Sequence, residues 1–348
     1  MRSLLAYIIT RLLLTIPMIL ILLTVVFLIV RVMPGDPVIA MLGPKGTPEM
    51  IEQMRHDLGL DKPIISFGLD NQYVDYLSDL LHGDLGVSTY YKVPVWEKIR
   101  LYFPATLELT IFGLMIAFFV GIFSGAFAAE KRKTVADYSI RLYGIAIYSI
   151  PIFWLGLMLQ IIFGVWLEDI TGGRFAFPIA GRISARISPE VITGLFVLDG
   201  IITGSWKQVT NSLFHLVLPA MTLGLVLSGI FVRLTRANML DVLKSDYILS
   251  ADARGIKRRK VVYRHALKNA FVPVLTMMGL QFAYLMAGAV LTETTFSWPG
   301  MGSYLVEAVH YRDFPAIQGT IIFIALLVAS ISLVVDIVYA FIDPRVRY

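Results

Sequence analysis

Asp246-Tyr-Ile-Leu-Ser-Ala-Asp-Ala-Arg-Gly255-Ile-Lys-Arg-Arg-Lys260-Val-Val-Tyr-Arg-His265-Ala-Leu-Lys-Asn-Ala270-Phe-Val-Pro273 is a basic stretch, rich in small residues, between two long apolar runs. A chain that is mostly apolar has little reason to carry so elaborate a polar loop unless something docks on it. The small residues Ser250, Ala251, Ala253 and Gly255 would let a short helix approach another protein closely, and Lys257–Lys260 add a basic flank. A positive anchor resting on anionic lipid would explain the charge. It would not explain the small residues.

Working outward, the rest of the chain is hydrophobic enough to be membrane. Of its 348 residues 57% are hydrophobic and only 16% charged, against roughly 25% charged in soluble domains. A bilayer core needs about 20 apolar residues per helix. Uncharged runs of that size are Leu12–Val30, Leu109–Ala129, Leu142–Leu167, Gln208–Val232, Asn269–Thr292 and Phe314–Val335. The fold class is therefore an all-α integral membrane protein with six transmembrane helices. Val191–Leu198 is apolar but too short to cross, and reads as an interfacial or re-entrant segment. Leu12–Val30 is too long for a signal-peptide core and no small-residue cleavage site follows it, so it reads as an uncleaved first span.

Loop charges orient the spans. The loop at 233–268 has ten Lys/Arg against three Asp, the second–third loop carries Lys131, Arg132 and Lys133, and the tail adds Arg345 and Arg347. The stretch 31–100 has seven basic and ten acidic residues. Cytoplasmic loops carry the basic excess, which puts both termini in the cytoplasm of a multi-pass protein of the cell membrane. Arg31, beside Asp36, is the exception. The long first external loop holds two helix signals. Thr47-Pro48-Glu49 opens one and Gly59 stops it. Tyr73, Tyr76, Leu77, Leu80 and Leu81 mark one face of another, ended by Gly83. Trp96 and Tyr102 sit where an aromatic belt would place them. The domain reading is 1–31 for the first span, 32–104 for the external loop domain and 105–348 for a five-helix core.

The chemistry that would make this chain an engine is missing. There is no Gly-x-x-x-x-Gly-Lys-Ser/Thr string to cradle phosphates and no His-Glu-x-x-His pair. No cysteine is present, which excludes disulfides, thiolate metal sites and cysteine nucleophiles, and the five histidines are scattered. With no ATP-binding or catalytic motif either, no cofactor or metal is expected and the chain does not read as an enzyme. His215, near a span end, reads as a hydrogen-bonded structural residue. The spans hold almost no ionisable groups, which argues against a proton relay. Arg11 and Asp336, at the inner ends of the first and sixth spans, read as a structural pair. Gln160, Gln281 and Tyr284 are candidates to line a pathway, although interhelical hydrogen bonding is the favoured reading of such residues. A pathway without an engine is either a passive pore or scaffold, or one part of a driven machine.

Here the residues resemble a known family. Tyr247 to Gly255, followed by His265-Ala-Leu-Lys-Asn269-Ala-Phe-Val-Pro273, is similar to the EAA loop of binding-protein-dependent ABC importers, in the form of the dipeptide/oligopeptide/nickel permeases. Pro34-Gly-Asp-Pro37, Leu58-Gly-Leu-Asp-Lys-Pro63, Gly83-Asp-Leu-Gly86 with Ser88, and Pro104-Ala-Thr-Leu-Glu-Leu109 agree in order. So do His215-Leu-Val-Leu-Pro-Ala220, Phe296-Ser-Trp-Pro-Gly-Met-Gly302 and Asp343-Pro-Arg345. The generic loop has Glu-Ala-Ala where this chain has Leu249-Ser250-Ala251, and Ser332 stands where the peptide subgroup often has Asn. The resemblance implies a type I importer permease, the subunit with the long first external loop. It further implies a second homologous permease, two cytoplasmic ATP-binding subunits and an extracytoplasmic solute-binding protein as partners, and no nucleic acid. Tyr247, Leu249, Ser250, Ala251, Ala253, Arg254, Gly255 and Ile256 would then form the coupling helix that sits on an ATPase. Cargo would be di- or oligopeptide, with oligosaccharide or nickel as alternatives.

Overall fold

The computed structural model describes residues 4–32, 38–39, 46–57, 59–66, 68 and 70–342. The motif Pro34–Pro37 with its Asp36, Leu58, and the Asp343–Arg345 motif lie outside the described residues. Among those described, the chain is helical, with an isolated β-bridge between Val87 and Pro94. In chain order the helices are α1 (Leu4–Val32), α2 (Pro48–Asp57), α3 (Gln72–Leu81), α4 (Val95–Glu130), α5 (Val135–Ser149), α6 (Ile152–Ile170), α7 (Phe196–Ile202) and α8 (Trp206–Val242). There follow α9 (Asp246–Ala253), α10 (Arg258–Met286), α11 (Val290–Thr295), α12 (Met301–His310) and α13 (Phe314–Ile342). Among the described residues six stretches are long and apolar enough to cross a membrane: Ile9–Arg31 of α1, then α4, α6, α8 and α10, and Phe314–Val338 of α13.

The core is the crossing of α4 and α8. Leu109, Leu114, Ala117 and Ile122 of α4 meet Leu216, Leu223, Leu227 and Phe231 of α8, with Val274 and Leu285 of α10 and Trp298 alongside. Lipid offers no hydrophobic drive between helices, so close packing of small residues has to hold them. Gly121 lets the Phe231 backbone approach so near that any Cβ would overlap the Phe231 side chain, and Gly224 makes the reciprocal approach to Ile116 and to the Gly113 carbonyl.

Three boundaries differ from the sequence expectation, each for a local reason. The apolar run 142–167 is not one helix. It breaks at Ile150-Pro151, because proline cannot donate into the helix ladder, and α5 and α6 share it. Residues Gln160–Trp166 within α6 form a wide π-turn. The run 269–292 ends early: α10 stops at Met286, Gly288 takes φ +114°, and α11 is separate. Conversely α4 begins at Val95, well before Leu109, and absorbs Trp96 and Tyr102. The short apolar segment at 191–198 yields α7, which packs on α8.

In the external loop, Asn71 caps α3 by accepting from the amides of Tyr73 and Val74, the N-cap role suited to Asn. Tyr73 and Tyr76 then pack against Phe27 of α1, the Tyr73 hydroxyl meets Thr24 Oγ1 at 2.6 Å, and α1 itself packs chiefly on α13.

Candidate functional site

The decisive loop forms a short helix with one buried and one exposed face. Ile248 and Ala251 of α9 are buried against Met239, Val261, Val262, Ala266 and Ala270. Tyr247 and Leu249 stand 42% and 56% exposed, and Ser250, Asp252, Ala253, Arg254 and Gly255 are also exposed. Of the eight residues read as a coupling surface, Ala251 therefore faces the chain's own core and Ile256 is half-buried. The outward surface is Tyr247, Leu249, Ser250, Ala253, Arg254 and Gly255.

The helix ends as its sequence dictates. Gly255 adopts φ +73°, its N–H donates to the Asp252 carbonyl at 2.9 Å, and the Ile256 N–H donates to the Ala251 carbonyl at 3.3 Å. This is the Schellman arrangement, for which glycine is favoured because a left-handed residue otherwise clashes with its own Cβ. Nothing lies within 4 Å of where a Gly255 Cβ would stand, so this edge of the helix is open.

Three contacts tie α9 and its loop to the spans. Asn269 Nδ2 donates to the Tyr247 hydroxyl at 2.6 Å. The Tyr263 hydroxyl donates to Glu130 at 3.1 Å, reaching the end of α4. Arg258 and Asp252 pair at 2.9 Å. Beside them Arg236 of α8 grips Asp137 of α5 through two hydrogen bonds, 2.6 and 2.8 Å, while the Lys133 amide donates to the same carboxylate. The Arg236 guanidinium, opposed by burial and aided by the Lys133 amide, holds the Asp137 carboxyl below its ordinary value. The sequence reading missed this pair, since neither charge is distinctive in a basic loop.

At the opposite end a second set of polar contacts closes over α4. Glu293 of α11 accepts from Thr106 Oγ1 at 2.6 Å and from the Ser303 amide at 2.9 Å. Thr106 Oγ1 accepts from the Met301 amide at 2.8 Å, and Trp298 Nε1 donates to the Ala105 carbonyl at 2.9 Å. The Trp-Pro-Gly-Met-Gly stretch thus wraps one carboxyl, and a side chain at Gly300 would collide with it. Burial raises the Glu293 pKa, against the opposing pull of Thr106 and the Ser303 and Gly302 amides. Glu108 of α4 pairs with Arg182 at 2.6 Å and accepts from the Val197 amide. Both partners are almost fully buried, and breaking such a pair costs roughly 3–5 kcal/mol. Glu108 lies one residue before the run expected to span, so a boundary at Leu109 hid it.

Gln160 turns inward. Its amide donates to the Ile179 and Thr295 carbonyls at 2.8 and 3.0 Å, bracing the wide turn of α6 against α11. Gln281 reaches the Met277 sulfur at 3.8 Å, and Tyr284 is 72% exposed. His215 is hydrogen-bonded to Ser184 Oγ and to the Ala180 carbonyl. Arg11 and Asp336 lie 3.1 Å apart, with 45% and 34% of their side chains exposed. That exposure places the pair nearer the weak end of ion-pair strengths.

A family model described as "Binding-protein-dependent transport system inner membrane component" matches residues 118–348, and its N-terminal companion matches residues 4–110. The chain belongs to this family. It is 42% identical to the dipeptide transport system permease protein DppB of Alkalihalophilus pseudofirmus, over 99% of this chain and 100% of that one. It is 40% identical to the di/tripeptide permease DppB of Pseudomonas aeruginosa, covering 92% and 93% of the two chains. The glutathione transport system permease protein GsiC of Escherichia coli is 36% identical, covering 98% and 99%. Family membership makes this a transport permease of the inner membrane, not itself an enzyme, and leaves the passive pore or scaffold without support.

Proposed function

We propose that this chain is the permease subunit, with the long first external loop, of an ATP-driven importer of di- and oligopeptides. It works with a second homologous permease, two cytoplasmic ATP-binding subunits and an extracytoplasmic solute-binding protein. The termini and α9 face the cytoplasm, and the loop domain at 32–104 faces outside, ahead of a core at 105–348. The observation that carries the coupling role is α9 itself: a glycine-capped helix with one face anchored in the chain's own core and the other bare.

Tyr247, Leu249, Ser250, Ala253, Arg254 and Gly255 form the surface on which an ATP-binding subunit docks, with Ala251 and Ile256 holding it from behind. Closure of the ATPases moves α9. Asn269 passes that motion into α10, and the packing of Ile248 and Ala251 on Met239 and Ala266 passes it into α8 and the start of α10. A ligand or partner shifts such an equilibrium only through differential contact with its two states, so the docked edge must be one that changes its contacts on closure. Gln281 and Tyr284 of α10 are the pathway candidates. Gln160 has its amide engaged by two carbonyls and is assigned to the scaffold.

The relatives transport dipeptides, tripeptides and glutathione, which favours peptide cargo over oligosaccharide or nickel. Uptake by the reconstituted complex tests this. Radiolabelled dipeptide should accumulate in an ATP- and receptor-dependent way. Accumulation of a disaccharide or nickel, with none of dipeptide, would refute the cargo assignment.

A further inference from the structure

Two cavities meet at α3, one carrying several charged and amide side chains and one almost wholly apolar. The polar one, of about 290 Å³, lies at the loop-side end of α1 and is lined by Arg31, Gln72, Asp75, Asp79, Asp84 and Gln318. The apolar one, of about 640 Å³, runs between α1 and α13, along Ile16, Leu20 and Leu23 on one wall and Phe323 and Leu326 on the other. Leu80, Leu85 and Ile322 line both. At 1.5 Å per residue, the groove runs from about 12 to about 22 Å below Arg31 along α1. The pair of cavities therefore has the form of a head and a tail.

The polar half is built but incomplete. Gln72 is 93% buried by its 7% exposure, and its Nε2 donates to the Leu60 and Lys62 carbonyls. Among the described residues its Oε1 is buried without a partner, and so is Arg31 Nε. The Arg31 guanidinium sits over the Phe27 ring at 5.3 Å. Asp75 is paired with Lys62. Among the described residues neither Asp79 nor Asp84 forms a salt bridge; the charge of His82 acts on Asp79 only from a distance, and Asp84 accepts from the Gly86 amide. Burial, then the charges of Asp84 and Asp75, push Asp79 above the ordinary carboxylate range. The cavity thus presents a cation and an acceptor-rich acidic wall that do not reach each other. No set of three carboxylate or imidazole groups among the described residues is disposed to hold a metal ion. The groove side is dressed for lipid: Leu81 is 88% exposed and Trp96 41%, as suits side chains at a membrane interface.

We propose that these cavities bind one phospholipid with a zwitterionic, primary-amine headgroup, from the leaflet on the loop side. Its phosphate lies against Arg31 and its ammonium between Asp79, Asp84 and Gln72 Oε1. One acyl chain fills the groove and joins α1 to α13. A phosphatidylglycerol head has no cation for the acidic wall. A choline head has no N–H to give Gln72.

The test uses the intact transporter, equilibrated in equal parts phosphatidylethanolamine, phosphatidylglycerol and phosphatidylcholine, then stripped with detergent. Retained lipid is counted by native mass spectrometry. The wild type should keep one phosphatidylethanolamine per permease. Asp79→Asn with Asp84→Asn should lower that retention by at least about fivefold, as the loss of interfacial charge contacts implies. Asp79→Lys with Asp84→Lys should invert the preference toward phosphatidylglycerol, a gain that misfolding cannot produce. Equal retention of all three lipids by the wild type would overturn the proposal, as would unchanged phosphatidylethanolamine retention in both double variants. Displacement of the lipid by millimolar soluble dipeptide would reassign the cavity to a soluble zwitterion and overturn it as well.

Discussion

Asn269 Nδ2 and the Tyr247 hydroxyl are 2.6 Å apart, which ties the exposed face of α9 directly to α10. The contact joins the element proposed to receive the ATPase stroke to a helix carrying two candidate pathway residues. Tyr247→Phe and Asn269→Ala should each lower peptide uptake per ATP hydrolysed, by a few-fold, since one hydrogen bond contributes about 1 kcal/mol. The double variant should be no worse than either alone. Additive losses in reconstituted vesicles would show that the two side chains act separately.

The Asp137–Arg236 pair clamps α5 to α8 at the end of α8 that leads into α9. Its side chains are 2% and 19% exposed, so Asp137→Asn should destabilise by roughly 3 kcal/mol, leaving Arg236 uncompensated. The Asp137 pKa is lowered in the fold. Its contribution is therefore present above the unfolded value near 3.8 and lost as pH falls through the folded value. Melting of the wild type against the variant should give a gap that stays constant from pH 5 to 8. A gap that shrinks across that range would contradict the assignment.

Glu293 behaves oppositely. Its pKa is raised above 4.5, so the folded state binds its proton more tightly than the unfolded chain does. Stability then falls as pH rises from the unfolded value through the folded one. Glu293→Gln should remove this slope and leave the Trp298 clamp in place. The readout is melting temperature against pH, with the variant flat where the wild type declines. A parallel decline in both would place the titrating group elsewhere.

The loop charges predict the orientation. Lys45, a natural labelling site on the external loop, lies outside the described residues; Lys92, exposed at a tight turn, serves in its place. Lys92→Cys should react with an impermeant thiol reagent in intact cells, and Lys257→Cys only after the membrane is opened. Labelling of Lys257→Cys from outside would invert the topology.

Much of this architecture was legible in the residues because a bilayer enforces simple rules. Runs of apolar residues give the spans, and Gly255 gives the end of α9, since a left-handed position selects glycine. Pro48 and Gly59 bracket α2, and the Tyr73–Leu81 pattern marks α3. Where hydropathy alone was used, it failed at places that only backbone geometry decides. Pro151 splits an apolar run that has no charge to mark the break, and Gly288 ends α10 inside another. Glu108 and Glu293 were invisible as buried groups because their partners, Arg182 and Thr106, lie 74 and 187 residues away. For Gln160 the sequence favours interhelical hydrogen bonding over a place in the pathway, but it cannot name the acceptors, because the carbonyls it reaches belong to Ile179 and Thr295.

The central claim is that the open edge of α9 is a docking surface. Gly255 tests it, because φ +73° penalises any side chain while nothing of this chain lies within 4 Å of its Cβ position. Gly255→Ala and Gly255→Trp share the same backbone strain, about 1 kcal/mol, and differ in bulk toward a partner. In the reconstituted complex, receptor-stimulated ATPase activity and uptake should survive in Gly255→Ala. In Gly255→Trp uptake should be abolished, with the ATP-binding subunits either lost or hydrolysing without transport, and membrane insertion normal. Equal uptake by the two variants at wild-type level would contradict the docking of α9.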